Sequence, residues 1–464
     1  MRVLQLNARY QGGGAERCSR ELFEYLPRAG VATDLWICEH DRTAPPAVRT
    51  LPLFWERTCL RSLRHLKRIR TRRLPRIAAD SPGTTSVMAS ADRGHALATA
   101  AAKWANQRHI GFRRQLARIQ PGDFDVVHLH ATYPGCAALA SLSRLATTLP
   151  VVWTLHDTWA VTGGVLHDLS DTMSATDVHT MLTRGGQPQR ARLYHQDFLP
   201  ADERDFIQRW MPRPIVAVAP SHYLADRARS SELLQGVDVR QIANPTVLLD
   251  HPVSEQPRVQ ARLRLGLAAD RPVVLMIAAD LNVAHKGLMQ GLQALNGLAD
   301  PLPQLLLLGN TPPSLMGTCS YRGPIQTTSA LDSETLGTAY RAADVTLIPS
   351  LTENLPYTAL ESLACRTPIA AFAVGGLREI VTRRRGGLLA RPFQVSDLSD
   401  CLAQLINDAA LRQRLAVSGQ EWVARHCRMA DHISRMRAVY ATAIRLHTAA
   451  ARGPSGASPA QRAA

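Results

Sequence analysis

Aromatic side chains are scarce: Phe, Trp and Tyr make up 5% of the 464 residues. A chain this poor in flat rings has little with which to stack bases, which argues against a single-strand nucleic-acid reader. The eight cysteines, Cys18, Cys38, Cys59, Cys136, Cys319, Cys365, Cys401 and Cys427, form no Cys-x-x-Cys pair. That excludes the common zinc and dithiol patterns and predicts reduced thiols in a cytoplasmic protein. No apolar run is long enough to span a bilayer. The opening Met1-Arg2-Val3-Leu4-Gln5-Leu6 reads as a strand start rather than a secretory signal, since the run is short and no cleavage site follows. The glycine run near the N-terminus is neither Gly-x-Gly-x-x-Gly nor Gly-x-x-x-x-Gly-Lys-Ser/Thr, so dinucleotide and P-loop readings lose support. No Asp-x-Asp pair stands at the C-terminal end of a strand, so no metal is expected.

What is present is an ordinary globular composition, 45% hydrophobic and 20% charged, long enough for two full domains. Lys and Arg outnumber Asp and Glu by 54 to 38, a formal net charge of +16. That excess favours an acidic partner: nucleotide phosphates, a nucleic acid or an anionic membrane. Much of it sits in residues 57–76, where Arg57, Arg61, Arg64, Lys67, Arg68, Arg70, Arg72, Arg73 and Arg76 alternate with Leu60, Leu63, Leu66 and Ile69. A basic amphipathic helix reads as a membrane-surface element. Its alternative is a solvated helix with its leucines packed inward.

The chain alternates apolar, β-branched runs with helical patterns from end to end, which predicts an α/β fold of two doubly wound domains. Residues 344–368 are its most informative stretch. Val345 to Ile348 suits a strand buried on both faces of a parallel sheet. Pro349 and Ser350 stop it, and a helix follows from Tyr357 to Ala364, closed before Pro368. Glu353 falls in the loop at the strand's C-terminal end, and Glu361 about two turns into the helix. That edge is where open α/β sheets bind ligands, and a helix start favours an anion. The two acids could then hold sugar hydroxyls and a ribose. Alternatively they are a solvated loop acid and a helix-surface acid.

Three further segments reach ligand edges. Gln11-Gly12-Gly13-Gly14-Ala15-Glu16 joins the first strand to a helix running through about residue 29, and Gly13 and Gly14 let backbone approach a ligand. Residues 150–157 form a buried strand that delivers His156 beside Asp157; a sugar contact and a structural histidine are both open. Lys286 precedes a helix after the strand at 272–279, placed either to neutralise a diphosphate or as a surface lysine.

The string Pro349-Ser350, Glu353, Glu361-Ser362-Leu363-Ala364, Pro368 and Gly375-Gly376-Leu377-Arg378-Glu379-Ile380-Val381 resembles the donor-site signature of retaining GT-B glycosyltransferases of the family 4 type. Trp153-Thr154-Leu155-His156-Asp157-Thr158-Trp159 resembles an exopolysaccharide, colanic-acid-type subgroup. Three departures are visible. Asn354-Leu355-Pro356 stands where that family has Phe-Gly, and no Arg precedes Lys286 at the family's spacing. The downstream cysteines of the subgroup are also missing.

The resemblance implies a GT-B fold, two Rossmann-like domains facing a central cleft. It places an acceptor-side domain at 1–247 with a basic insertion at about 54–118, and a nucleotide-sugar domain at 248–430. A helix at 431–448 returns to the first domain, and the tail 449–464 is disordered by composition. It implies a hexosyltransferase that moves a sugar, with retention, from a nucleotide-diphosphate sugar to a carbohydrate or lipid-linked oligosaccharide acceptor in exopolysaccharide or cell-surface glycan synthesis. No metal or other cofactor is needed. Lys286, Asn354 and Leu355 at the helix start, and the Gly13-Gly14 loop would meet the diphosphate; Glu361 would hold the ribose, Glu353 and His156 the donor sugar. The basic stretch would set the enzyme at the inner membrane face. The alternatives are a sugar-nucleotide epimerase or a sugar phosphorylase on the same fold, and a basic nucleic-acid-binding protein; nucleic acid is not the expected partner.

Overall fold

The computed structural model describes residues 1–38, 41, 43–50, 115–131, 139–184, 188–198, 208, 211, 214–251, 257–311, 321–328, 332–382 and 384–452. The basic stretch 57–76, nearly all of the expected insertion, and the tail from 453 onward lie outside them.

Thirteen strands are found among the described residues. Seven belong to one sheet: β1 (Arg2–Asn7), β2 (Ala32–Ile37), β3 (Arg49–Thr50), β4 (Val126–Leu129), β5 (Val151–Thr154), β6 (Val216–Ala219) and β7 (Asp238–Gln241). Their order is β3-β2-β1-β4-β5-β6-β7. Six belong to the other: β8 (Val273–Asp280), β9 (Gln304–Asn310), β10 (Ile325–Thr328), β11 (Val345–Ile348), β12 (Ile369–Phe372) and β13 (Gly387–Ala390). Their order is β10-β9-β8-β11-β12-β13. The described ladders are parallel, for example Val345 opposite Val274 and Ile369 opposite Gly387. Two parallel sheets with helical crossovers are the doubly wound architecture expected from the alternation.

Parallel strands covered on both faces need continuous apolar runs. Leu305 to Leu308 in β9 supply one, each at most 1% exposed. Burial of each such leucine contributes about 1.5–3 kcal/mol. Polar groups inside this core are bonded: Thr346 Oγ1 accepts from Ser362 Oγ at 2.7 Å, and Asp344 receives Arg262 Nη2 at 2.6 Å and the Val273 N–H at 2.9 Å.

By backbone contacts the chain groups into two compact units. One holds the described parts of Met1–Val152, Trp210–Ile215 and Ala443–Ala464; the other holds those of Trp153–Arg209 and Val216–Thr442. In the second unit the strand order turns back at β8 and β11, which are adjacent although β9 and β10 lie between them in the chain. The C-terminal ends of such a pair frame the crevice where doubly wound sheets bind ligands. In the first unit the helix expected to run through residue 29 is α-helical only over Gly14–Tyr25. Leu26–Ala29 is a 3-10 turn carrying Pro27, since proline has no N–H for the α ladder.

Candidate active site

Lys286 and Glu353 leave the two central strands and meet. After β8 the chain makes a 3-10 turn, Ala284–Lys286, closed by Gly287 at φ +68°. A Cβ on Gly287 would lie 1.9 Å from the Pro349 carbonyl oxygen, so only glycine lets this turn lie against the end of β11. The Leu351 N–H donates to the His285 carbonyl at 2.8 Å and fixes the two loops together. Lys286 Nζ then lies 2.6 Å from Glu353 Oε1, with the lysine 30% and the glutamate 10% exposed. The two expected ligand residues form an ion pair with each other.

The loop carrying Glu353 is held by a second close approach. Cβ atoms on Gly375 and Gly376 would fall 1.6 Å from the Glu353 carbonyl oxygen and 1.9 Å from that of Asn354. The Gly-Gly step therefore acts as the seat of the loop. The Asn354 side chain is spent on structure: its Oδ1 accepts from Ser221 Oγ at 2.6 Å, and its Nδ2 donates to the Leu155 carbonyl at 3.3 Å. Leu355 is buried, and its carbonyl accepts from Asn244 Nδ2 at 3.2 Å. What these two residues can offer an anion is backbone, at the start of the helix Tyr357–Ala364, whose N-cap Pro356 supplies no side-chain cap.

The tie from Asn354 to Leu155 brings His156, the next residue, to the same loop. Burial, then the nearby His432 ring, pushes His156 down to about 3. It is neutral at physiological pH, offering one ring nitrogen as donor and one as acceptor. Glu361 is about one turn into its helix, not two: it stands four residues past Tyr357, and a turn takes about 3.6. It is 2% exposed, and its Oε2 accepts from the Tyr340 hydroxyl at 2.9 Å.

Gly13 and Gly14 belong to the first unit. Gly13 is the N-cap of the helix Gly14–Tyr25, and its N–H donates to Glu16 Oε2 at 2.8 Å. The chain's own carboxylate thus occupies the anion position there, and a phosphate arriving at Gly13 would have to displace it.

The family described as "Glycosyl transferases group 1" matches residues 260–422, and "Glycosyltransferase Family 4" matches residues 77–246. The chain is a GT-B glycosyltransferase. Among curated relatives it is similar to a D-inositol 3-phosphate glycosyltransferase of Xylanimonas cellulosilytica, 28% identical over 348 residues, covering 72% of this chain and 76% of the relative. One of that name from Actinosynnema mirum is 29% identical over 325 residues, 66% of this chain and 70% of the relative. Among solved structures, sucrose-phosphate synthase from Thermosynechococcus elongatus superposes with a TM-score of 0.65 at 19% identity, covering 95% of this chain and 98% of that one. The Anabaena protein HepE, solved with UDP-glucose, gives 0.60 at 14% identity over 95% and 100%.

The glycosyltransferase also uses residues that sequence reasoning passed over. The Glu379 carboxylate caps the helix His222–Ser230, accepting from the His222 N–H at 2.9 Å and the Tyr223 N–H at 2.6 Å. With Ser221 on Asn354, this knits the turn at 221–223 to both the Glu353 loop and the Gly375-Gly376 turn. Beside Lys286, His285 is buried, its ring centroid 4.0 Å from that of His167. The Tyr194 hydroxyl lies 3.1 Å from His285 Nδ1. Burial first, then Lys286, pushes His167 down to about 3. His285 is held well below the usual histidine range by burial, then by His167, Lys286 and Arg190. The one sequence signal for this cluster was His285 standing next to Lys286.

Proposed function

We propose that this glycosyltransferase moves a sugar, with retention, from a nucleotide-diphosphate sugar to a carbohydrate or lipid-linked acceptor in cell-surface glycan synthesis. The observation that carries the reading is the meeting of Lys286 with Glu353, at 2.6 Å, on the β8/β11 crevice in front of the helix Tyr357–Ala364. A lysine and a helix N-terminus at one edge stabilise a diphosphate as it gains charge on leaving.

In this reading Glu353 accepts from hydroxyls of the donor sugar, and His156 contacts the same sugar. Glu361 serves the ribose, which requires one carboxylate oxygen to face the ligand while Tyr340 holds the other. Because Glu353 is paired with Lys286, it suits a hydrogen-bond acceptor better than a covalent nucleophile. That favours attack on the face the diphosphate leaves. The acceptor oxygen bonds to the anomeric carbon, the bond to the diphosphate breaks, and the departing phosphate oxygen takes the acceptor's proton. In this reading the Lys286 ammonium and the helix start donate hydrogen bonds to the departing diphosphate, with no resident metal. No helix among the described residues is long and apolar enough to cross a membrane; in this reading the basic stretch 57–76 is the membrane-surface element.

The test is product analysis with a panel of sugar nucleotides, with and without acceptors that include inositol phosphate and lipid-linked oligosaccharide. Transfer with the donor's anomeric configuration kept supports the proposal. Inversion overturns retention. Conversion of the donor alone identifies an epimerase, and sugar phosphate formed from inorganic phosphate identifies a phosphorylase.

A further inference from the structure

The charge on Lys286 is already answered by Glu353. The pair brings no net charge to the crevice, whereas the diphosphate of a sugar nucleotide carries a negative charge on each phosphate. The groups packed beside Lys286 are two imidazoles, His285 and His167, tilted by 34° with centroids 4.0 Å apart. Their segments are locked in place. The His167 N–H donates to the Leu193 carbonyl at 2.9 Å, and the Leu169 N–H to that of Tyr194 at 2.9 Å. Tyr194 in turn holds His285 at Nδ1.

We propose that the His167–His285 stack takes up one proton when the diphosphate of a sugar nucleotide binds beside Lys286, supplying the positive charge that the Lys286–Glu353 pair lacks. This rests on the donor reading above.

The proton comes from solvent and forms one N–H bond on one ring. Two imidazolium rings in contact would repel, so the stack holds one. His285 is buried with Nδ1 already engaged, which leaves His167, half-buried, as the ring that solvent can reach. The charged and titratable groups facing the stack are Lys286 and Arg190, which both disfavour a proton in the empty site, and Tyr194, whose phenol burial keeps protonated. Asp168, next in the chain, is paired with Arg227 at 2.6 Å and leaves the balance unchanged. An anion seated on Lys286 cancels the repulsion from it and adds attraction.

The experiment is calorimetry of UDP-glucose, GDP-mannose and ADP-glucose binding, in buffers of different ionisation enthalpy, between about pH 4.5 and about pH 7.5. These probes lack the terminal-phosphate ionisation near about 6 that would obscure the protein's proton. The diphosphate's charge lifts His167 from about 3 toward about 6 at most, so the wild type should take up a proton increasingly below about pH 6, with affinity falling by up to about tenfold per pH unit above the complex's pKa. His167→Phe keeps a ring against His285 and should bind more weakly, with no uptake and no pH slope. His167→Gln, which keeps a polar side chain, should behave the same if the phenylalanine variant fails to fold by circular dichroism. Binding without uptake in the wild type, or uptake retained in both variants, overturns the proposal and leaves the donor reading standing. No heat from any sugar nucleotide overturns the donor reading and this inference with it.

Discussion

Alanine at position 375 should cost both activity and stability. Gly375 has φ +49°, and the added Cβ would lie 1.6 Å from the Glu353 carbonyl oxygen and 2.8 Å from its carbon. Real Cβ atoms essentially never come within 3.0 Å of a neighbour, so the loop must retreat by about 1.4 Å. The left-handed backbone adds about 1–2 kcal/mol of strain, and the displaced packing about 1–3 kcal/mol. The same retreat pulls Glu353 from Lys286, which it now meets at 2.6 Å. A misplacement of about 1 Å in a positioned catalytic group costs about 100-fold. Gly375→Ala should therefore lose about 100-fold in kcat/KM, with a melting temperature lower by several degrees, about 2–4 °C per kcal/mol. Gly30→Ala is the control: φ is +73° but nothing lies within 4 Å of its Cβ, so strain alone is added, in the other unit. Steady-state transfer assays and thermal melts on both variants decide. Transfer by Gly375→Ala within threefold of wild type would refute the seating of Glu353 by this glycine.

Tyr340→Phe removes the hydroxyl that donates to buried Glu361 and should cost about 1–3 kcal/mol in urea unfolding, with weaker nucleotide binding. Asp344→Asn leaves the guanidinium of buried Arg262 without its counter-charge and should cost about 3–5 kcal/mol by the same measurement. His156, His167 and His432 are held at about 3, about 3 and about 4 by burial first. The folded state refuses protons that the unfolded chain binds below about 6.5. Stability should thus be full above that pH and fall steadily toward about 4, and His432→Gln should flatten the fall in urea midpoints. Glu379→Gln weakens the cap on two N–H groups and should lower stability by about 1 kcal/mol, read as a shifted unfolding midpoint.

Local order was legible because local chemistry sets it. Val345–Ile348 and Tyr357–Ala364 occur where the apolar run and the prolines place them, and Lys286 and Glu353 follow from strand ends. β3, two residues long, has no period to detect. β7, Asp-Val-Arg-Gln, starts at Asp238 opposite Val216, and its place is set by that pairing rather than by an apolar pattern of its own. The seating of the loop was hidden for a different reason. Asn354 on Leu155, Glu379 on His222 and Tyr194 on His285 join residues 199, 157 and 91 positions apart, and no local period encodes such pairs. Nor does spacing reveal that Lys286 is neutralised by its partner, or that Glu361 is buried under Tyr340; both depend on which side chains the crossing loops bring within reach.

The central claim is that a sugar nucleotide's diphosphate binds at Lys286 in front of the helix Tyr357–Ala364. Titration calorimetry of UDP, GDP and ADP into wild type and Lys286→Met tests it most directly. The account predicts saturable heat with at least one nucleotide in the wild type, and affinity at least about tenfold weaker in the variant, the loss of roughly one charge-assisted contact. Equal affinity in the two proteins, or no heat from any nucleoside diphosphate, would contradict it.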